Sequence, residues 1–154
     1  MDEQAGKSEV ALTEELNAIP GLSNARVVRP RRVEVDVDSK VVRDVFSELV
    51  KRRKHVHVST IAGVDTRTSI QVVYLTVLDG IVTSIYATLD RDKPEIDTIK
   101  DIIPGARVYE REVYDMFGVM VRGNHEEELL VLPEDWPKGV FPLRKDVQPG
   151  GGDM

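Results

Sequence analysis

The sequence lacks several patterns that would have pointed to particular chemistries. None of its 154 residues is cysteine, which excludes disulfides, thiol catalysis and thiolate-bound iron–sulfur clusters within the chain. Neither common glycine-rich phosphate-binding pattern, G-x-x-x-x-G-K-[ST] or G-x-G-x-x-G, occurs. No stretch approaches the roughly 18 consecutive apolar residues of a membrane-spanning helix, and the acidic N-terminus has no apolar segment of signal-peptide type. We therefore expect the protein to stay in the compartment in which it is made.

Charge and histidine content narrow the function classes further. The formal net charge is −6; residues 78–154 are strongly acidic, whereas residues 1–77 are close to neutral. A nucleic-acid-binding protein normally presents a basic surface to phosphates, so the acidic balance disfavours a general function of that kind. The three histidines are His55, His57 and His125, and a zinc site would need carboxylates to complete it.

Hydrophobic periodicity predicts the order of elements in the first third of the chain. After a flexible N-terminus at 1–8, a short helix is predicted over 9–18. In the stretch "RVEVDVD", 32–38, valines alternate with acidic residues, which predicts a half-buried strand. Apolar residues within 39–53 recur with helical spacing and form one stripe, so this segment is the clearest helix.

The middle of the chain predicts a small sheet. Three apolar, strand-like segments follow one another at 55–63, 68–78 and 81–90. The Asp79-Gly80 pair between the last two is a strong hairpin signal. A helix is predicted over 92–103, because Pro94 suits a helix start and three isoleucines share one side. The predicted fold class is therefore α+β, with one sheet of about four strands backed by helices on one face.

The chain changes character after Gly118. The α+β domain is predicted to span 9–118, and a proline-rich segment with little periodicity follows at 119–154. Because such a segment gains little from folding alone, it needs a surface to lie on. We expect an extended C-terminal arm that contacts a partner subunit through a few large apolar residues: Leu132, Trp136, Phe141 and Leu143.

Four other motifs could carry function, and each has a simpler structural explanation. The basic runs at 29–32 and 51–57 suit a solvated strand approach and a helix C-terminus, where cations are favoured; a nucleic-acid adaptor using them is a minor alternative. His55 and His57 share a strand face but have no evident third ligand, so no metal site is predicted. The run "NHEEE", 124–128, is interpreted as a charged loop.

The stretch "YEREVYDMFGV", Tyr109–Val119, is harder to explain by amphipathicity alone. On a helical wheel, Arg111 and Asp115 fall opposite the apolar face, where they could pair. Glu110 points away from the apolar face as well, whereas Glu112 falls inside it and needs a cation or hydrogen-bond donors. Either the carboxylates are catalytic, or the helix packs on two sides and a partner supplies the cation for Glu112.

The same stretch, followed by "LPEDWP" and "FPLRKDV", resembles a peripheral-arm chain of proton-pumping NADH:quinone oxidoreductase (complex I) and its relatives in energy-converting NiFe hydrogenases and in deazaflavin- or ferredoxin-linked complexes. The family signature is roughly E-R-E-x-x-D-[LM]-[FY]-G-[IV]. The positions that match it are Glu110, Arg111, Glu112, Asp115, Met116, Phe117, Gly118 and Val119. One departure is that Glu128 and Leu129 stand where the family usually has two arginines, which suggests a divergent branch.

The resemblance implies a non-catalytic assembly subunit without a cofactor, metal or catalytic residue of its own. It implies a peripheral position on the cytoplasmic side of the membrane, docking on the large quinone-site or NiFe-site subunit near the iron–sulfur subunits and supporting electron transfer coupled to proton translocation. A hydrogenase subunit and, more distantly, a small stand-alone carboxylate enzyme are the alternatives. The residues expected at the partner interface are Glu110, Arg111, Glu112, Asp115, Phe117, Gly118, Trp136, Phe141, Leu143 and Arg144.

Overall fold

A computed structural model of the protein describes residues 2–125 and 129–146. The chain forms three α-helices, one short 3-10 turn and seven strands over these residues. The helices are α1 (Asp2–Ala18), α2 (Val42–Arg52, preceded by the 3-10 turn Ser39–Val41) and α3 (Ala106–Phe117). The strands are β1 (Leu22–Arg29), β2 (Arg32–Val37), β3 (Val56–Asp65), β4 (Ser69–Leu78), β5 (Ile81–Asp90), β6 (Glu95–Asp97) and β7 (Met120–Arg122).

Five of the strands form one mixed sheet in the order β1-β2-β5-β4-β3. Only β2 and β5 run parallel; the other neighbours are antiparallel. The predicted strands are confirmed as β2, β3, β4 and β5, and the predicted α+β class is confirmed as well. The sheet has one strand more than expected, because β1 carries no clear alternation: it is an edge strand whose side chains are mostly exposed.

The core lies on one side of the sheet. Along β4 and β5 every second residue is buried, and these positions pair across the two strands, as Tyr74 does with Ile85. The same buried cluster includes apolar residues of all three helices, and the Phe46 ring of α2 lies 5.1 Å from the Tyr74 ring between centroids. The alternation that predicted the strands therefore also sets which sheet face the helices cover.

The helix predicted over 92–103 is wrong. Residues Glu95–Asp97 form β6, which pairs in parallel with β7, and turns follow until α3. Arg122 of β7 donates to Asp97 at 2.6 Å across this pair. Ile96 and Ile99 are buried nonetheless. Their spacing reported burial correctly, but a partner strand more than twenty residues later determined the backbone conformation.

The two ends of the described chain contain more regular structure than the sequence predicted. The helix predicted over 9–18 is confirmed within α1, although α1 already begins at Asp2. After α3 the chain forms β7 and then a series of turns that lie on the domain. No helix in the described ranges has the length and apolar character needed to cross a membrane.

Candidate partner-binding site

Glu110 occupies the centre of the buried face of α3. It is 2% exposed and shares a helical stripe with Ala106, Val113 and Phe117, all buried. Its carboxylate accepts hydrogen bonds from Thr98 Oγ1 at 2.6 Å, from the Ile99 amide at 3.0 Å and from Asn124 Nδ2 at 3.1 Å. Burial raises the pKa of Glu110, and these donors oppose that increase. The carboxylate thus joins α3 to the segments before and after it.

The sequence prediction assigned the buried position to the wrong carboxylate. Glu112 is exposed and Glu110 is buried, the reverse of the wheel assignment. That assignment counted Val108 in the apolar face, but Val108 is 55% exposed. The hydrogen-bonding capacity of the buried Glu110 carboxylate is used by polar groups of the adjacent loops. A helical wheel that ranks residues by hydrophobicity would not place a glutamate on the buried face.

Asp115 lies on the inner side of α3, although it was predicted on the outer face beside Arg111. It is 2% exposed. One carboxylate oxygen accepts hydrogen bonds from the backbone amides of Leu130 at 2.9 Å and Val131 at 2.8 Å. Arg111 is half-buried. Asp115 therefore fixes the beginning of the described arm, residues 129–146, on the helix.

The end of α3 is shaped by two close ring contacts. Gly118 has a φ of 76° and its amide bonds to the Tyr114 carbonyl, which ends the helix in the left-handed conformation that favours glycine. A Cβ at Gly118 would lie 2.4 Å from the Phe141 ring, and one at Gly63 of β3 would lie 2.3 Å from the Phe117 ring. Gly118 thus allows the Phe141 ring of the arm to lie against the end of α3, and Gly63 allows the Phe117 ring of α3 to lie against β3.

The last part of the arm is fastened to the helix end and to the sheet. Arg144 Nε donates to the Phe117 carbonyl at 2.7 Å, and its guanidinium lies 5.2 Å from the Phe141 ring centroid. The Leu143 amide donates to the Met116 carbonyl at 3.1 Å. The Leu143 side chain remains 56% exposed, so the backbone is fixed while the apolar side chain faces outward.

A buried aspartate at the end of β3, not identified from the sequence, completes this attachment. Asp65 accepts hydrogen bonds from Arg91 Nη2 at 2.8 Å and Nε at 3.1 Å, and from the Lys145 amide at 2.9 Å. The Arg91 hydrogen bond, together with the backbone amides of Lys145 and Arg67, holds the pKa of Asp65 well below its usual range. No local pattern signals this contact, because Asp65 and Lys145 are 80 positions apart.

A cleft of about 650 Å³ separates α3 from the turns of the arm. Trp136 lines it and is half-buried; its indole nitrogen donates to the Val140 carbonyl at 2.8 Å. The Tyr114 ring meets the His125 ring edge-on at 4.9 Å between centroids. Of the carboxylates predicted on α3, only Asp115 lines the cleft. The carboxylates that the sequence offered as a catalytic set on α3 are therefore not brought together there, and the second carboxylate on the lining is Glu134 of the arm.

The histidine pair and the run 124–128 form no metal site among the described residues. His55 and His57 are exposed, and the described residues include no group of three or more metal-ligating side chains. In the run 124–128, Asn124 is buried and bonded to Glu110, and His125 is exposed. The remaining glutamates of that run, including Glu128, lie outside the described residues.

Fold and site together define a small α+β domain whose C-terminal arm is fixed by buried carboxylates. A family model described as "Respiratory-chain NADH dehydrogenase, 30 Kd subunit" matches residues 35–152. The chain belongs to this family, that of the complex I subunit that the signature in α3 resembles. This confirms the resemblance seen in the sequence.

The individual relatives are subunits of different enzymes. The chain is 33% identical over 131 residues to a subunit of the F(420)H(2) dehydrogenase of Methanosarcina mazei, covering 82% of each chain. It is 43% identical over 63 residues to formate hydrogenlyase subunit 5 of Escherichia coli, but this covers 41% of the chain and only 11% of that protein. The family therefore includes both dehydrogenase and hydrogenase-type relatives.

Two solved structures have the same fold. A chain of the membrane-bound sulfane sulfur reductase, described as an archaeal respiratory membrane complex, superposes with a TM-score of 0.76 at 32% identity, covering 91% of this chain and 85% of that one. A trypsin-resistant fragment of Nqo5 superposes with a TM-score of 0.65 at 21% identity, covering 76% and 97%, and supports the fold alone. A structural subunit role fits these relationships.

Proposed function

We propose that the protein is a non-catalytic structural subunit of a membrane-associated respiratory complex, and that the outer surface of its arm docks on the large quinone-site or NiFe-site subunit. The observation that carries this proposal is the inward use of the signature carboxylates. Glu110 and Asp115 hold neighbouring segments and the arm in place. The signature thus builds a surface, and the chemistry belongs to other chains.

The apolar residues that remain exposed support the arm as the docking surface. Leu130, Val131 and Leu143 are 40%, 50% and 56% exposed, although the backbone amide of each is hydrogen-bonded within the domain. Trp136 is half-buried and belongs to a residue type that often dominates binding energy. Because the arm is already ordered, a partner would not have to restrict it on binding.

The absence of cysteine fits a subunit that holds no cluster, with electrons passing through neighbouring iron–sulfur chains. We place the protein on the cytoplasmic side of the membrane, coupled through its complex to proton translocation. Co-purification tests this assignment: the tagged chain is recovered from gently solubilised native membranes, and its companions are identified by mass spectrometry. Recovery of a large subunit with iron–sulfur chains supports the assignment. Repeated recovery of the chain alone contradicts it.

The docking surface itself is tested with a matched pair of exposed apolar residues. Leu143→Asp places a charge on the arm, and Val50→Asp places one on α2, where Val50 is 39% exposed. Leu143→Asp should reduce the amount of co-purified large subunit about tenfold, because a charge in an apolar contact costs more than about 1.4 kcal/mol. Both variants should unfold at wild-type denaturant concentrations. If Leu143→Asp retains the large subunit as Val50→Asp does, the arm is not the docking surface.

The branch of the family can be decided from the same sample. A recovered large subunit with the cysteine pairs that ligate a NiFe centre assigns the complex to the hydrogenases. A large subunit without them assigns it to the quinone-reducing dehydrogenases.

A further inference from the structure

The turn between β1 and β2 concentrates positive charge at one edge of the sheet. Arg29 and Arg32 are direct cross-strand neighbours, and Pro30 and Arg31 form the turn between them. Like charges directly opposite each other destabilise an antiparallel pair. Arg31 has a φ of 61°, a conformation in which glycine or asparagine is less strained. Both features disfavour the turn, and the hydrogen bond from the Arg31 amide to the Glu9 carboxylate opposes them.

These three arginines also lack partners that other arginines of the chain have. Arg43 pairs with Asp101, Arg53 with Glu15, and Arg122 with Asp97. Within residues 2–125 and 129–146, the guanidinium groups of the three turn arginines make no hydrogen bond or ion pair: Arg29, Arg31 and Arg32. The three are exposed and adjacent. The Glu9 carboxylate lies at the turn, but it accepts a hydrogen bond from the Arg31 backbone amide at 2.8 Å and not from a guanidinium group.

Apolar surface accompanies the charge. Val27 and Val28 of β1 are 41% and 43% exposed. A depression of about 210 Å³ is lined by Val28, Arg29 and Arg32 of the β1–β2 hairpin and by residues of β2 and β5. The carboxylate that also lines it, Glu34, is already paired with Arg26 at 2.8 Å. We call the surface formed by Val27, Val28, Arg29, Arg31 and Arg32 the arginine edge.

We propose that the arginine edge binds an extended acidic segment of a partner polypeptide, in which carboxylates alternate with apolar residues. β1 is an edge strand, so an extended segment can lie alongside its end near the turn and use backbone groups that no neighbouring strand occupies. Further back along β1 the Ala25 amide is already bonded to Asn17 Oδ1 at 2.9 Å. Carboxylates match the guanidinium groups in geometry as well as charge. The exposed valines favour such a segment over a free anion, which would use the cations alone. A second copy of the chain would bring arginines against arginines.

This inference does not depend on the proposed docking of the arm. The arm is fastened at β3, through Asp65, whereas the arginine edge lies at β1, and these strands are the two opposite edges of the sheet. The domain can therefore contact one partner at each edge. Leu143→Asp should leave binding at the arginine edge unchanged, so failure of one proposal does not imply failure of the other.

The test uses the purified chain and a labelled peptide of the length of β1, eight residues, with alternating Glu and Val. Fluorescence anisotropy measures its affinity, and a Lys–Val peptide of equal length is the specificity control. Arg29→Gln with Arg32→Gln should weaken binding of the Glu–Val peptide about tenfold or more, because the double variant removes both charge-assisted contacts to the carboxylates. Lys54→Gln with Arg67→Gln removes the same charge from two exposed cations elsewhere and should change affinity less than about twofold.

Two observations support the proposal together: selective binding of the acidic peptide, and amide chemical-shift changes confined to β1 and its turn. Equal loss in both double variants overturns it, since the effect is then one of net charge. Binding of phosphatidylglycerol vesicles without peptide binding assigns the edge to a lipid surface instead. If no ligand binds and the arginine variant self-associates, the charges only protect the strand edge from aggregation.

Discussion

The buried ion pair of Asp65 with Arg91 provides the sharpest test of how the arm is held. Asp65→Asn keeps the shape of the side chain but removes its charge and replaces one acceptor oxygen with a donor. The Asp65 side chain is 1% exposed and that of Arg91 is 23% exposed. Its two oxygens accept four hydrogen bonds: two from Arg91, one from the Lys145 amide and one from the Arg67 amide. In Asp65→Asn only one oxygen remains as an acceptor, so the variant can keep at most the two hydrogen bonds made to that oxygen.

The expected loss is large because a buried partner remains. Removing one member of a buried, hydrogen-bonded ion pair costs about 3–5 kcal/mol. Arg91 is partly exposed and can regain some hydration, so we expect the free energy of unfolding to fall by about 3 kcal/mol. Asp36→Asn is the control: the Asp36 side chain is 45% exposed and its ion pair with Arg26 spans 3.8 Å. That exposed pair should contribute no more than about 1 kcal/mol.

Urea denaturation measures the global loss, and limited trypsin digestion measures release of the arm. Arg144 and Lys145 lie where the arm is held, so Asp65→Asn should accelerate cleavage there under native conditions. Because the folded-state pKa of Asp65 lies below its unfolded value of about 3.9, its stabilisation is complete above that pH and is lost as pH falls through the folded pKa. If the free energy of unfolding falls by less than about 1 kcal/mol and the rate of cleavage is unchanged, Asp65 does not hold the arm on the domain.

Two further predictions concern α3 and its end. Glu110→Gln should be less stable than wild type at acidic pH, and the difference should be smaller or absent at neutral pH. The reason is that the folded-state pKa of Glu110 is raised. The stabilisation by the Glu110 side chain is therefore greatest below about pH 4.3 and declines as pH rises through the folded-state pKa. Urea denaturation across this range, compared with wild type, checks the sign. Gly118→Ala should cost at least about 1 kcal/mol more than Gly80→Ala, because both have positive φ but only at Gly118 does a Cβ meet the Phe141 ring. Equal losses in thermal unfolding would mean that the ring moves aside freely.

The elements that sequence predicted correctly are those whose conformation depends on neighbours in the chain. The stripe of α2 and the alternation of β2, β4 and β5 are local patterns, and each survives in the structure. The Asp79-Gly80 turn is likewise local, and both residues have the positive φ that such a hairpin requires. Periodicity reports which side is buried, and in these elements burial and backbone conformation agree.

Prediction failed where distant residues decide the outcome. β6 has helix-start residues but takes an extended form because β7 pairs with it. β1 is shaped by its neighbour and by α1, so its own sequence shows little alternation. In the candidate site, Asp65 looks like an ordinary turn residue until Lys145 is placed beside it. Such contacts depend on chain closure over long separations, and no short pattern encodes them.

The signature of α3 illustrates why a charged motif need not mark a charged surface. A carboxylate can be buried at acceptable cost when fixed donors surround it, and backbone amides are the most rigidly placed donors. Glu110 meets the Ile99 amide, and Asp115 meets the amides of Leu130 and Val131. Those donors are in position only when the loop and the arm are folded, so each carboxylate makes folding of the helix depend on folding of its neighbours. The described arm therefore has one arrangement on the helix, and that arrangement is the one that the proposed docking would use. Glu112, which is exposed, takes no part in these internal hydrogen bonds.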